Sequence, residues 1–226
     1  MKKETKQDIA YGVAKAVIGS VPLVGAAATE LFQLIVTPPI ERRRNEWVIE
    51  IGEKLKQLEE EKNIDLESLR NNEIFIDVVL HITQLALRTS ENEKINFLKN
   101  VLLNTAVDED VDISEIQIFL NMISTFTVWH IRILNLFDNP EKWFKDNGKV
   151  MTSYMAAGLS SVLDNAYPEL KSKRELTDLI WDDLYRAGLH KTSGLHTTMT
   201  GSGLIQQRTT NFGREFLNFI LKSPLE

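Results

Sequence analysis

The sequence contains no cysteine in its 226 residues. This absence excludes disulfides, thiolate metal sites and cysteine nucleophiles, and it is consistent with a reducing compartment. Long hydrophobic runs are also missing, since no stretch reaches the roughly 20 uninterrupted apolar residues that a membrane-spanning helix needs. Basic residues are outnumbered by acidic ones, and the net charge is −6. Such a chain has no field that would hold polyphosphate, so nucleic acid is not expected as the main partner.

The motifs of the common enzyme classes are absent too. There is no G-x-S-x-G, no P-loop and no dinucleotide fingerprint. Four histidines are present, none in metal-ligand spacing: His81, His130, His190 and His196. Asp108, Asp110 and Asp112 alternate as a calcium loop begins. However, Ile113 stands where that loop needs Gly, and Phe119 where it needs Glu. We therefore expect no enzyme, no cofactor and no metal site.

The hydrophobic fraction of 43% is enough for a packed core, and its helical periodicity predicts a bundle. Residues 8–36 carry little charge and are interrupted by Gly19 and Pro22, which predicts a helical hairpin. This segment is not expected to be a cleaved secretory signal, because the charges of Glu4, Asp8 and Lys15 do not suit one. Pro38 and Pro39 are predicted to end the hairpin and to form the first turn of a long helix.

Further helices follow from capping and spacing. Residues 72–89 predict a buried helix, because apolar side chains cover more than half of its circumference. Ser90 with Glu93 predicts one capping box, and Asp112 with Glu115 a second. A break in the helical pattern is expected at residues 124–127, and a short helix is expected to begin at residues 139–140.

The C-terminal third has a different composition. Helices are predicted at residues 152–167, 171–187 and 211–221. Between the last two, residues 195–199 and 204–208 predict two short strands around Gly201-Ser202-Gly203, so that all strand content would follow Gly188. The order of helix, Gly/Ser/Thr-rich wing and helix resembles a winged-helix C-terminus. The predicted fold is mainly α, with a helical bundle at residues 1–148 and a winged-helix-like unit with a short β-hairpin at residues 149–226.

This unit differs from winged helices that read DNA. Its would-be recognition helix carries Asp178, Asp182 and Asp183, which would repel backbone phosphates. A role in packing or dimerisation is favoured over DNA binding.

Two regions of the sequence form a distinctive layout. The first is Glu30-Leu31-Phe32 through Pro38-Pro39, Glu41-Arg42-Arg43-Arg44 and Trp47. The second is Ala86-Leu87-Arg88-Thr89-Ser90 with Glu93-Lys94-Ile95, followed by Trp129-His130-Ile131-Arg132-Ile133-Leu134. Together they resemble the abortive-infection alpha (Abi-alpha) family of bacterial proteins, which is associated with phage defence. The resemblance covers roughly residues 25–140. It implies a helical protein of phage defence and supplies no catalytic residues.

These observations favour a non-enzymatic interaction or effector protein, with a protein partner or a second copy as its target. The candidate membrane or partner surface is the apolar segment and the arginines that follow it: Val21, Leu23, Val24, Leu31, Phe32, Leu34, Arg42, Arg43 and Arg44. Residues 9–36 could enter a membrane while the arginines contact anionic headgroups. The expected location is the cytoplasm, with peripheral attachment to the inner membrane face in that case. The alternative is a regulator whose C-terminal unit binds protein or DNA.

Overall fold

The computed structural model describes residues 26–108 and 112–225. It divides into two compact units, Met1–Glu50 and Ile51–Glu226. The described ranges contain eleven α-helices, one short 3-10 helix and one two-stranded antiparallel sheet. The predicted mainly α fold with little strand is therefore confirmed.

The elements follow one another in a simple order. The helices are α1 (Ala26–Lys62), α2 (Leu66–Arg70), α3 (Glu73–Arg88), α4 (Asn92–Val107), α5 (Ile113–Thr125), α6 (Val128–Asp138), α7 (Pro140–Asp146), α8 (Leu159–Ala166), α9 (Arg174–Arg186), α10 (Gly201–Leu204) and α11 (Asn211–Leu221). The strands are β1 (Ala156–Ala157) and β2 (Met199–Thr200), and the 3-10 helix is Pro168–Leu170.

Helix α1 corrects the predicted break at the prolines. It runs without interruption for 37 residues and includes Pro38 and Pro39 in its interior. Each proline removes one backbone donor, and an interior proline costs a helix about 3 kcal/mol or more. The helix nevertheless continues through both prolines, so the prediction that they end one helical segment and begin the next was wrong. The predicted helical hairpin upstream falls mostly on residues 1–25, which lie outside the described residues.

The predicted helix starts were confirmed at some positions and wrong at others. Asn72, Asp112 and Asn139 each cap a helix through the side-chain oxygen, as their positions in the sequence suggested. Asp112 accepts from Ser114 N, so its N-cap role is confirmed, and the reciprocal bond from Glu115 stays a prediction. The capping box at Ser90 was wrong. Glu91 is the N-cap of α4, and the carboxylate of Glu93 instead binds the guanidinium of Arg132 on α6. A charge-assisted bidentate pair is stronger than the bond to an N-cap amide, which explains the difference.

The core of Ile51–Glu226 is built by helices that are distant in sequence. Helix α3 packs on α4 and α5, while α11 packs on α4 and α6. The ring of Phe119 on α5 lies 5.3 Å from the ring of Phe216 on α11. Two amide side chains of α4 fasten the end of α11, because Asn100 donates to Ile220 O at 3.0 Å and Asn104 donates to Phe219 O at 2.8 Å. Residues on both sides of Gly148 thus share contacts, and independent folding of residues 149–226 stays a prediction.

The small sheet has a different partner from the one predicted. Strand β2 pairs with β1, which precedes the α8–α9 helix pair, so the strand content does not all follow Gly188. Gly201-Ser202-Gly203 begins α10 instead of forming a hairpin turn, because the Thr200 hydroxyl accepts a hydrogen bond from Gly203 N. The predicted helix at residues 152–167 begins only at Leu159, because the residues before it include strand β1. The winged-helix-like character of residues 149–226 stays a prediction.

Candidate functional site

A short helical corner joins α1, α2 and α3, and its geometry is set by local residues. Asn63 ends α1 with φ 55°, a left-handed conformation that Asn tolerates better than most side chains. Asp65 caps α2 by accepting a hydrogen bond from Glu67 N at 2.9 Å. Asn72 caps α3 by accepting one from Phe75 N at 3.1 Å. Two helices therefore start within eight residues, and their side chains are brought to one surface.

This corner forms an open cavity of about 330 Å³, which we call the α1–α3 groove. Its lining is Leu55 of α1, then Leu66, Leu69 and Arg70 of α2, then Phe75, Ile76, Val79 and Leu80 of α3. Leu69 and Phe75 form its buried floor, at 7% exposure each, whereas Leu80 is 58% exposed at its edge. Only Arg70 is charged, and its guanidinium lies 3.2 Å from the carboxylate of Glu67. The groove is an apolar surface that the described part of the chain leaves open.

The surface predicted from the sequence lies elsewhere. Val21, Leu23 and Val24 lie outside the described residues. Leu31, Phe32 and Leu34 fall in the backbone of α1, and their side chains are outside the described part. Arg42 and Arg44 are exposed and Arg43 is half-buried, and Arg42 Nε lies 3.8 Å from the carboxylate of Glu46. Their contact with anionic headgroups stays a prediction.

The histidines are used inside the fold or at its surface. His130 is 6% exposed, and its Nδ1 accepts hydrogen bonds from the amide and hydroxyl of Thr127, completing a capping box for α6. His190 is 2% exposed, with Nε2 3.0 Å from Trp181 O and Nδ1 accepting from Thr192 N. His196 pairs with Asp178 at 2.6 Å. No group of three or more acidic or histidine side chains in the described ranges is arranged to hold a metal ion.

Two segments that carry the family resemblance meet in space. Glu93 of α4 binds Arg132 of α6, and Lys94 Nζ donates to Phe126 O at 2.9 Å. The Arg132 guanidinium also lies 4.9 Å from the ring centroid of Trp129. Burial lowers the pKa of Lys94, partly offset by the Glu91 carboxylate. These contacts join α4 to α6, so Glu93, Lys94 and Arg132 have a structural role in this chain.

A larger cavity of about 560 Å³ lies between α4, α5 and α11. Its rim carries the carboxylates of Asp108, Asp112, Glu115 and Glu215, and Phe119 and Phe219 form part of its wall. Burial, followed by repulsion from Glu215, Asp112 and Asp108, raises the pKa of Glu115. The predicted acidic loop at Asp108–Asp112 therefore contributes to a region of mutual repulsion at one end of the bundle. Asp110 itself lies outside the described residues.

The groove was missed because the helix at residues 72–89 was interpreted as buried on most sides. The structure leaves Ile74 37% exposed in addition to Leu80. Ile76, Val79 and Leu80 were the available signal, since they extend the apolar surface of α3 beyond the face that holds Phe75, Val78 and Ile82. A helix that is apolar almost all round needs a second covering surface.

No family model, curated protein or solved structure matches this chain. Within the described residues, no helix combines the length and apolar character that crossing a bilayer requires.

Proposed function

We propose that this protein is a non-enzymatic interaction protein, and that the α1–α3 groove binds the apolar face of a helix from its partner. The observation that carries the proposal is Leu80, a large aliphatic side chain 58% exposed beside an apolar cavity. Half-buried Ile76 and Val79 continue the same surface along α3. Grooves of this kind take apolar side chains that are three, four and seven residues apart on an incoming helix.

The contribution of Leu80 can be bounded. Full burial of a leucine side chain is worth about 1.5–3 kcal/mol, and somewhat more than half of this side chain is still open to solvent. Covering it would contribute about 1–2 kcal/mol, which corresponds to a five- to thirtyfold change in affinity. A carboxylate at this position would lose that contribution and would also have to be desolvated.

The test uses a matched pair of variants. Leu80→Asp changes the groove, and Leu179→Asp makes the same change on α9 at a leucine that is 56% exposed. The probe is a fluorescent amphipathic peptide of about 18 residues, with leucines at helical spacing on one face and lysines on the other. A second peptide with serine at the leucine positions measures charge-driven binding alone.

We expect the leucine peptide to bind the native chain, to bind Leu80→Asp at least about tenfold more weakly, and to bind Leu179→Asp as it binds the native chain. Circular dichroism of both variants checks the fold. Equal binding of both peptides, or equal loss in both variants, would contradict the groove as the binding surface.

We place this interaction in phage defence, on the strength of the resemblance between residues 25–140 and the Abi-alpha family. The resemblance also motivates the membrane form of the proposal, in which residues 9–36 enter the interface of a bilayer and Arg42–Arg44 contact anionic headgroups. Dye leakage from anionic liposomes tests this membrane form. We expect the native chain to cause leakage and Val24→Asp to abolish it. Intact liposomes at every lipid composition would leave partner binding as the mechanism.

A second candidate surface lies on α9. Leu176 and Leu179 are 40% and 56% exposed and are three residues apart, so they lie on one side of the helix. The neighbouring Glu175 and Asp182 are also exposed. Such a surface favours a protein partner over DNA for the winged-helix-like unit. If this unit is the binding element, Leu179→Asp and not Leu80→Asp weakens binding, so the same pair of variants distinguishes the two candidates.

A further inference from the structure

Helix α3 carries a row of exposed side chains beside the groove, which we call the outer row. Its members are Glu73, Asp77, Leu80, Gln84 and Arg88. They are four, three, four and four residues apart, so they lie on one side of the helix. A parallel row of half-buried residues lies between the outer row and the core face: Ile76, Val79, Thr83 and Leu87. The outer surface of α3 is therefore an apolar stripe with charges along one edge.

The charges of the outer row have opposite signs at its two ends. Glu73 lies in the first turn of α3, and Arg88 lies in the last turn. Among the described residues, neither of them, nor Asp77, takes part in an ion pair or side-chain hydrogen bond. The acidic end and the basic end both suit the helix macrodipole, but neither has a charged partner among residues 26–108 and 112–225.

This arrangement is self-complementary under a two-fold axis. Glu73 and Arg88 each stand seven residues from the central pair of Leu80 and His81. In an antiparallel pair of helices, side chains on the same side of each helix face one another. An axis at the centre of α3 therefore places Glu73 opposite Arg88 of a second copy, Asp77 opposite Gln84, and the two Leu80 side chains close together.

We propose that α3 of a second copy of this chain covers the α1–α3 groove, in an antiparallel, two-fold symmetric pair. The inference rests on the proposed function and names the partner helix. Each Leu80 is covered by the apolar stripe of the other copy, and two Glu73–Arg88 pairs form, one at each end. Antiparallel packing also sets the two helix dipoles against each other favourably, and a two-fold contact uses the same surface on both copies.

The size of the contact sets the strength of the dimer. Helix α3 has 16 residues, a length of about 24 Å, and its diameter is about 10 Å. Its footprint is then about 240 Å² on each copy, compared with about 800 Å² per partner in a standard stable interface. The pair is a weak, reversible dimer with a dissociation constant in the micromolar range or above, and it weakens at high salt.

Sedimentation velocity of the full chain, from about 5 µM to about 500 µM, covers this range. We expect a concentration-dependent shift from monomer to dimer. Glu73→Arg or Arg88→Glu alone should weaken the dimer about tenfold, because each creates two like-charge contacts per dimer. The double variant should restore it, and Leu80→Asp should abolish it. Glu175→Arg is the matched control, since Glu175 is an exposed acidic residue in the first turn of α9.

A chain that stays monomeric at the highest concentration would overturn the proposal, as would a dimer that the charge variants leave unchanged or that the double variant fails to restore. Failure here is separable from failure of the groove itself. A monomer that still binds the leucine peptide in a Leu80-dependent way keeps the groove as a binding surface for another protein, and a monomer that does not bind it loses both proposals.

Discussion

Two buried histidines should make the folded state sensitive to mild acid. Burial lowers the pKa of His130, although Asp183 acts in the opposite direction and Lys94 in the same one. Burial also lowers the pKa of His190, again partly offset by a bond to Trp181 O and by Asp182. Because the two side chains are 6% and 2% exposed, the charged form of either has little access to water.

The direction in which stability changes with pH follows from how many protons the folded and unfolded states bind. Well above the ordinary histidine pKa of about 6.5, neither the folded nor the unfolded state holds a proton on these rings, so they contribute no pH dependence there. Below pH 6.5 the unfolded chain is protonated first, because the pKa values in the folded state are lower. Stability then falls with pH by up to about 1.4 kcal/mol per pH unit for each histidine, until the folded-state pKa is reached.

Urea unfolding followed by tryptophan fluorescence, at several pH values from about 7.5 to 5.5, measures this slope. We expect the free energy of unfolding of the native chain to fall by about 1–3 kcal/mol over this range. His130→Gln, in which the side-chain oxygen can still accept a bond from Thr127, should reduce the slope without removing it. A free energy that is constant or that rises as the pH falls would refute the reasoning, and would mean that Asp183 stabilises a charged His130.

Four further substitutions test the packing and the charges of the bundle. Gly213→Ala should destabilise the chain by about 1–3 kcal/mol, because a methyl group there runs into the carbonyl oxygen of Leu189, whereas Gly52→Ala meets open space and should stabilise α1 by about 0.5–1 kcal/mol. Asn104→Ala removes two hydrogen bonds to backbone carbonyls at the end of α11 and should cost about 1–3 kcal/mol of unfolding free energy. Glu115→Gln should stabilise the chain at pH 7, since the raised pKa of this carboxyl means that its charge opposes folding until the pH falls below the folded-state pKa.

Urea denaturation at constant pH checks all of these substitutions. Asn96→Ala is the control for Asn104→Ala, since it changes an exposed asparagine on the same helix. Equal losses in both would show that the carbonyl bonds add nothing beyond helix propensity. A Glu115→Gln variant that is less stable than the native chain at pH 7 would show that the four carboxylates do not repel one another.

The parts of the fold that depend on near neighbours were predictable. Asn139 and Pro140 begin α7 as predicted, and Asn211–Leu221 is the predicted final helix, because a cap or an apolar period lies within a few residues of what it determines. The exchange of Glu93 from its expected capping role to Arg132 was not predictable, since the two residues are 39 positions apart. The pairing of β2 with β1 was missed for the same reason.

The groove consists of helix surfaces that remain exposed after the helices have packed, which is why the sequence did not predict it. Apolar periodicity identified α3 as a helix with several apolar faces, but it gave no means of deciding whether Leu80 or Phe75 is covered. Both residues line the groove, yet Phe75 is 7% exposed and Leu80 is 58% exposed. Only the arrangement of neighbouring helices distinguishes them.

The bonds from α4 to the end of α11 also concern the order in which the protein is synthesised. Asn104 and Phe219 are 115 residues apart, so the face of α4 that α11 covers is translated long before its cover exists. At 5–20 residues per second the delay is roughly 6 to 23 s. A nascent chain held in this state leaves Asn100 and Asn104 without their carbonyl acceptors at the end of α11, and truncation before residue 211 would make that loss permanent.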